Sequence, residues 1–184
     1  MADGFRLETA RLVLRDWSEE DWPEFFRVTN TSAVMRWLGG VLDEDGEAKQ
    51  RARVEACQAA NRFCFWAVER RDDGAILGFC GLKRSNQPGG PMGLMEVGWR
   101  FREDCWGQGF AKEAATAALD AAFELFGADE VVAFTVRRNI SSWGLMKRLG
   151  MRRREDLDFA SADFDAEDPT MIVYSTGKDE WGAP

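Results

Sequence analysis

The stretch from Leu94 to Phe126 limits most strongly what this chain can fold into. Leu94 to Phe101 reads as a strand, Gly107 and Gly109 interrupt it, and Ala111 to Phe126 is strongly helical. Within that helix Ala114, Ala117, Ala118, Ala121, Ala122 and Leu125 form a close-packing face suited to a sheet. A glycine turn that opens a helix leaves several backbone N–H groups without intrahelical acceptors, pointing one way and reinforced by the positive end of the helix dipole. Such a mouth suits phosphate oxygens and is a candidate pyrophosphate cradle. Glycines before helices also serve simply as turn residues, so this stretch alone leaves both readings open.

A second segment adds what the first lacks. The apolar strand Val131 to Val136 is followed by Arg137-Arg138-Asn139-Ile140-Ser141-Ser142-Trp143-Gly144-Leu145-Met146-Lys147-Arg148-Leu149-Gly150-Met151, a helix with its own glycine stop. Together the two segments resemble the paired acetyl-CoA motifs of the GNAT superfamily of N-acetyltransferases, and more narrowly the branch containing the ribosomal-protein N-terminal acetyltransferases. The resemblance runs from about Arg6 to Thr176, beginning with Leu7-Glu8-Thr9-Ala10-Arg11-Leu12-Val13-Leu14-Arg15. It implies the GNAT fold: an α+β, three-layer arrangement with a central mixed, mostly antiparallel twisted sheet of about seven strands and helices on both faces.

Composition narrows the alternatives. With 184 residues and 45% hydrophobic content the chain reads as one domain, 1–184, with its core at about 6–176. The 24 basic against 32 acidic residues give a formal charge of −8, which argues against nucleic-acid binding and suits a cationic partner such as an amine. Histidine is absent, which removes Ser-His-Asp and Cys-His schemes, histidine bases and histidine metal sites together. Cys57, Cys64, Cys80 and Cys105 show no Cys-x-x-Cys spacing, no signal peptide is recognisable, and no apolar run approaches the ~20 residues of a membrane span. A reduced, cytoplasmic protein without membrane association is the expectation.

Along the chain, Arg11 to Asp16 alternates as a strand, and Ser18 before Glu19, Glu20 and Asp21 predicts a capped helix. A short helical piece lies within Asn30 to Gly40. A polar helix over Asp43 to Asn61 carries Ala48, Ala52, Ala56 and Ala59 on its more apolar side. Phe63 to Glu69 and Ile76 to Lys83 flank the hairpin turn Asp72-Asp73-Gly74; Ser85 to Gly93 is a loop. Met151 to Asp158 reads as a charged edge strand, Ala160 to Pro169 as an acidic loop and Met171 to Thr176 as the last strand, with a loose tail after Gly177.

By the resemblance, Trp106-Gly107-Gln108-Gly109-Phe110-Ala111 corresponds to the phosphate motif, with Gly107 to Ala111 around the pyrophosphate. Trp106 stands where the family carries Gln or Arg, which leaves the main-chain amides in place and alters only what that side chain contributes. Backbone groups of Gly98, Trp99, Arg100 and Phe101 would pair with the pantetheine arm as an added strand. Asn139 occupies the place of the family's arm-contacting asparagine, with a helix cap as its simpler role. Lys147, with Arg137, Arg138 and Arg148, is placed to meet the adenosine phosphates or to form a solvated helix face. Met146 stands where many members have a tyrosine acid. The ribosomal-protein branch instead has a serine three positions after the asparagine, here Ser142, which implies thiolate stabilisation, a backbone-bonded helix-start serine being the alternative. That branch also has a glutamate at the point of Glu96. Alkyl amines with pKa ~10 are mostly protonated at neutral pH, so a carboxylate base acting through water would help them attack.

The leading expectation is direct transfer of the acetyl group of acetyl-CoA to a primary amine, a protein amino terminus or a small molecule, without an acyl-enzyme or a metal. The alternative is a non-catalytic CoA-binding sensor or interaction module of the same fold. A dinucleotide fingerprint beginning at Gly107-Gln108-Gly109 ranks below both, because Lys112 stands where its third glycine belongs. A homodimer is compatible with all three.

Overall fold

The structure, a computed structural model, describes residues 4–182. Its elements are β1 (Arg6–Glu8), β2 (Leu12–Arg15), α1 (Asp21–Thr29), α2 (Glu44–Asn61), β3 (Phe65–Arg70), β4 (Ile76–Arg84), β5 (Met95–Phe101), α3 (Phe110–Glu124), β6 (Glu130–Val136), α4 (Ile140–Arg148), β7 (Arg152–Arg153), β8 (Phe159–Ala160) and β9 (Thr170–Gly177). The nine strands of the described residues form one sheet in the order β1-β2-β3-β4-β5-β6-β9-β7, with β8 also on β9. Only β5 and β6 run parallel.

The two strands beyond the expected seven have local causes. β1 pairs Arg6 to Arg15 and Glu8 to Val13 across a turn in which Thr9 bonds Leu12. The expected strand from Met151 to Asp158 breaks after two residues, because Arg153 forks onto Asp158 and Arg154 onto Asp156 around a 3-10 turn at Glu155–Leu157.

Side chains alternate between two packed faces. On one, Trp66 stacks on Phe5 with ring centroids 3.9 Å apart, and the buried alanines of α3, Ala114, Ala115, Ala118 and Ala122, belong to the same core. On the other, Phe65, Phe79, Lys83, Glu96, Gly98 and Arg100 line up by register beneath α1 and α2. Arg100 is buried over the Phe25 ring at 4.6 Å and donates to Thr29 Oγ1 at 2.7 Å and Gln50 Oε1 at 2.9 Å. One guanidinium thus joins α1 and α2 to β5. This explains why α2 turns Gln50, Val54 and Cys57 inward and leaves Ala48, Ala52, Ala56 and Ala59 exposed, against the sequence expectation. Its start is capped as composition implies, with Gly46 N–H donating to Asp43 Oδ1.

Two further expectations change. Ser18 does not cap α1; the helix begins at Asp21, whose carboxylate accepts the Ser18 N–H and both terminal nitrogens of Arg15. Arg15 and the backbone contact outweigh burial and hold Asp21 below the usual carboxylate range. The segment after Gly177 docks, Trp181 Nε1 donating to Asp120 Oδ1 of α3 at 2.7 Å.

α3 is held at its first turn by Glu113, which accepts from Thr9 Oγ1 at 2.6 Å, Arg11 N–H at 2.8 Å and Arg11 Nε at 2.7 Å. Burial alone would raise its titration, but these donors win and lower it. Glu113→Ala should cost about 2 kcal/mol, the scale of hydrogen bonds to a charged group. A depressed native pKa stabilises above the unfolded value and is lost as pH falls through the native one. The stability difference from the wild type should therefore be flat near neutrality and shrink below the ordinary value of 4.5, read by urea unfolding at several pH values. A second substitution tests the sheet itself. Gly78 in β4 has φ +150°, and a Cβ there would lie 2.0 Å from the Arg100 carbonyl oxygen. Gly78→Ala should lose about 3 kcal/mol or more in the same assay, since only backbone movement relieves the clash.

Candidate active site

The site begins where the sheet parts. β5 and β6 are paired only through Met95 with Val131 and Glu96 with Val132. Beyond that rung β5 continues on β4 and β6 on β9, so a split opens between them toward their carboxyl ends. Being parallel, both strands deliver their following helices, α3 and α4, to the open end, the position at which α/β sheets place ligands.

The phase of the β4–β5 ladder determines which backbone groups face the split. Ser85 N–H bonds Leu94 O and Arg102 N–H bonds Leu77 O, so the even-numbered residues of β5 exchange bonds with β4 and the odd-numbered ones turn away. The amide and carbonyl of Trp99 and the amide of Phe101 therefore face the opening, whereas those of Gly98 and Arg100 are engaged with β4. The Phe101 carbonyl accepts Trp106 Nε1 at 3.0 Å. That bond is the role of the unexpected tryptophan: it holds the start of the loop against the end of β5, with half its surface exposed.

Gly107 and Gly109 have φ of +74° and +83°, and a Cβ at Gly107 would meet nothing within 4 Å. The left-handed turn is natural to glycine. It directs the chain into α3 so that the N–H groups of Gly107 to Lys112 have no acceptor among the described residues, Glu113 N–H being the first to bond, to Gly109 O. Gln108 Nε2 is tied back to Asp104 O, Phe110 is buried and Ala111 is half-buried. Arg11 Nη1 donates to Gln108 O at 3.0 Å and the guanidinium lies 4.3 Å from the Phe110 ring centroid. An amide-lined helix mouth with a glycine floor and one flanking cation fits a diphosphate.

Glu96 stands on the last rung before the split, 7% exposed, on the α1–α2 face. Burial raises its pKa to about 7 despite the opposing charge of Lys83. Lys83 is its register partner, with Nζ 3.3 Å from Oε2. The pair is off the hydrogen-bond direction: Oε2 is sealed without a hydrogen-bond partner among the described residues, while Lys83 donates to Asn86 Oδ1. Phe65 completes this corner, its ring so close to Gly98 that a Cβ there would lie 2.7 Å from Cζ.

Across the split, Asn139 sits at the N-cap position of α4 but makes no side-chain capping bond; its amide donates to Thr135 Oγ1 instead. Ser142, half-buried in the first turn, gives its N–H to Asn139 O, and its hydroxyl bonds no backbone group among the described residues. Met146, one turn on, is buried core. Lys147 is exposed over the Trp143 ring, and Arg138 is drawn to Asp165 and Glu167. Burial raises all four thiols, Cys105 to about 11, so none is poised as a thiolate. Among the described residues no group of three metal-ligating side chains occurs, and no helix is long and apolar enough to cross a membrane.

A separate groove of about 570 Å³ runs between β1 and the outer side of α3. Its lining sets Glu8, Glu113, Asp120 and Glu124 against the one cation Lys112, a charge unsuited to phosphates, and it touches the cradle at Gly109 and Lys112. Arg11, Lys83 and Phe65 are the members of the site that sequence reading missed. Arg11 lay inside the quoted opening motif, but its partner Glu113 is 102 residues away.

Residues 11–152 match the family described as "Acetyltransferase (GNAT) domain". The chain is 29% identical over 148 residues to the uncharacterized N-acetyltransferase YnaD of Bacillus subtilis, covering 80% of this chain and 82% of that protein. The fold superimposes on a GNAT-family acetyltransferase from Bacillus anthracis with a TM-score of 0.76 at 23% identity, over 96% of this chain and 100% of that one. It also superimposes on a Vibrio cholerae protein assigned as a ribosomal-protein-serine acetyltransferase, with a TM-score of 0.73 at 18% identity, over 94% and 97% of the two chains. With the parted sheet and amide-lined helix mouth in place and three quarters of its length matched, this chain belongs to the GNAT family of N-acetyltransferases.

Proposed function

We propose that residues 1–184 act as one domain that transfers the acetyl group of acetyl-CoA directly to a primary amine, a protein amino terminus or a small-molecule amine, in the cytoplasm. The observation that carries this reading is the convergence, at one end of the β5–β6 split, of free strand groups, a free helix mouth and a buried carboxylate. Acetyl-CoA supplies the acetyl group as an activated thioester. The N–H groups of Gly107 to Lys112 hold its diphosphate, with Arg11 and Lys147 adding positive charge nearby. Trp99 and Phe101 offer main-chain groups to the arm as a missing strand would, and the free Oδ1 of Asn139 offers a further acceptor from the other wall.

Glu96 accepts a proton from the arriving ammonium, directly or through a water, and so frees the nitrogen lone pair for attack on the thioester carbonyl. The Ser142 hydroxyl donates a hydrogen bond to the sulfur as the carbon–sulfur bond breaks and negative charge gathers there. With no histidine in the sequence and the four thiols pushed up by burial, neither a His-activated nucleophile nor a thiolate is at hand for an acyl-enzyme, which favours direct attack.

Three measurements test this. Calorimetry with CoA should give saturable binding that Gly109→Val weakens at least tenfold, because valine at φ +83° must move the amides. Acetyl-CoA consumption, screened with peptides beginning in Ala, Ser or Met and with polyamines and aminoglycosides, should identify an acceptor. With that acceptor, kcat/KM should rise with pH toward a plateau above about 7. Glu96→Gln should lower it about 100-fold or more and remove the rise, the scale of a general base. Ser142→Ala should lower kcat about ten- to hundredfold while CoA affinity stays within about threefold. Tight CoA binding without turnover on any amine would mark the chain as a CoA-binding module instead.

A further inference from the structure

Glu96 and Lys83 form an unusual pair. They are cross-strand partners, both on the face beneath α1 and α2, and Nζ lies 3.3 Å from Oε2. In an ordinary buried ion pair the ammonium aims a proton at the carboxylate and occupies a lone pair. Here the directed hydrogen bond of Lys83 goes to Asn86 Oδ1 at 3.1 Å, and the ammonium also lies 5.8 Å from the Phe65 ring centroid. Glu96 therefore has a positive charge 3.3 Å from its sealed Oε2, and its other oxygen remains free of that contact. Of its two oxygens Oε2 is sealed, so the small exposure that Glu96 retains reaches the carboxylate through Oε1.

Among the described residues, Lys83 is the one cation acting on Glu96. The titratable and charged side chains facing Glu96 are Lys83 from β4 and Cys57 from α2, whose thiol is protonated, while β6 presents the apolar Val132. Arg100, on the same face of β5, is committed to Thr29 and Gln50. Ser85, two residues beyond Lys83 on that face, contributes a buried hydroxyl with no hydrogen-bond partner among the described residues.

We propose that Lys83 is a positioning residue for acyl transfer: anchored on Asn86, its ammonium keeps Glu96 charged and oriented with Oε1 as the accepting oxygen. The proposal rests on Glu96 being the base. A buried carboxylate with no cation beside it would be protonated near neutral pH and unable to take a proton from the acceptor. Lys83 stands beside the sealed Oε2 and leaves Oε1 free to accept.

The test reads the carboxyl itself. In protein labelled with carbon-13 at the glutamate side-chain carboxyl, Glu96→Gln identifies the Glu96 signal by its disappearance, and the signal is followed against pH in Lys83→Met and Lys83→Arg. Lys83→Met should move the midpoint upward by about one pH unit, while Lys83→Arg, which keeps the charge, should leave it within a few tenths. With the acceptor found in the amine screen, the acid limb of kcat/KM should move with it: about tenfold slower below the limb and unchanged on the plateau. A Glu96 signal and acid limb that Lys83→Met leaves in place, with Glu96→Gln still slow, overturns the role of Lys83 alone. Turnover by Glu96→Gln at the wild-type rate overturns the base reading and this proposal together. Thermal melts of both Lys83 variants separate these outcomes from loss of fold, because Lys83→Arg restores the charge in the same place.

Discussion

The parting of β5 from β6 is the constraint on which the rest of the molecule depends. An interior strand bonds on both sides, and an unpaired backbone amide or carbonyl away from water costs free energy. Here β6 leaves after two rungs, and the outward groups of Trp99 and Phe101 face a gap in the middle of the sheet. One of these groups is satisfied internally, by Trp106 Nε1 on the Phe101 carbonyl. The others are available to a ligand that can imitate a strand. The fold therefore gives up part of its ladder where the proposed binding edge lies, and the neighbouring pairings, seven rungs each for β4–β5 and β6–β9, hold the two walls apart.

The opening is useful only if the two helix mouths lie beside it, and here small residues matter. α3 turns Ala114, Ala115, Ala118 and Ala122 to the sheet, and side chains that short let a helix approach closely. Glu113 then fixes rotation and height by reaching back to Thr9 and Arg11 in the β1–β2 turn. The same contact places Arg11 against the Gln108 carbonyl, so one carboxylate both anchors the helix and positions a cation at the cradle. Face and opening are thereby built by separate sets of residues: alanine packing determines where the helix lies, and the two glycines determine where its amides point.

This division explains what could be read from the chain. The glycine turn, β5 and the register of Asn139 and Ser142 are local patterns, and each shows itself within about ten residues. Arg11–Glu113, Lys83–Glu96 and Arg100 with Thr29 and Gln50 are pairings across the sheet, and nothing in a single stretch announces them. The misreading of α2 follows from the same fact. Its alanines look like an inner face until Arg100 is known to require Gln50 on the other side. The docked end fails for a similar reason, since Trp181 finds Asp120 only once α3 is in place. The backbone phase of β5 was also beyond reach from sequence, because which residues face the split depends on how β4 is bonded.

Electrostatics converge on one group. Among the carboxyls whose titration is displaced, Glu8, Glu19, Asp21, Glu24, Asp73, Asp104, Glu113, Asp156 and Asp168 are all moved down by arginine, threonine hydroxyl or backbone donors. Glu96 alone is moved up, to about 7. The difference is geometric. The others sit at the surface or in arginine forks, where the charged form gains hydrogen bonds, whereas Glu96 sits under α2 with one offset ammonium. A chain of this acidity has many carboxylates, and the one displaced upward stands at the last rung of the β5–β6 ladder. With no histidine in the chain, the proton transfer proposed for the split would take its pH response from a single side chain and the lysine beside it.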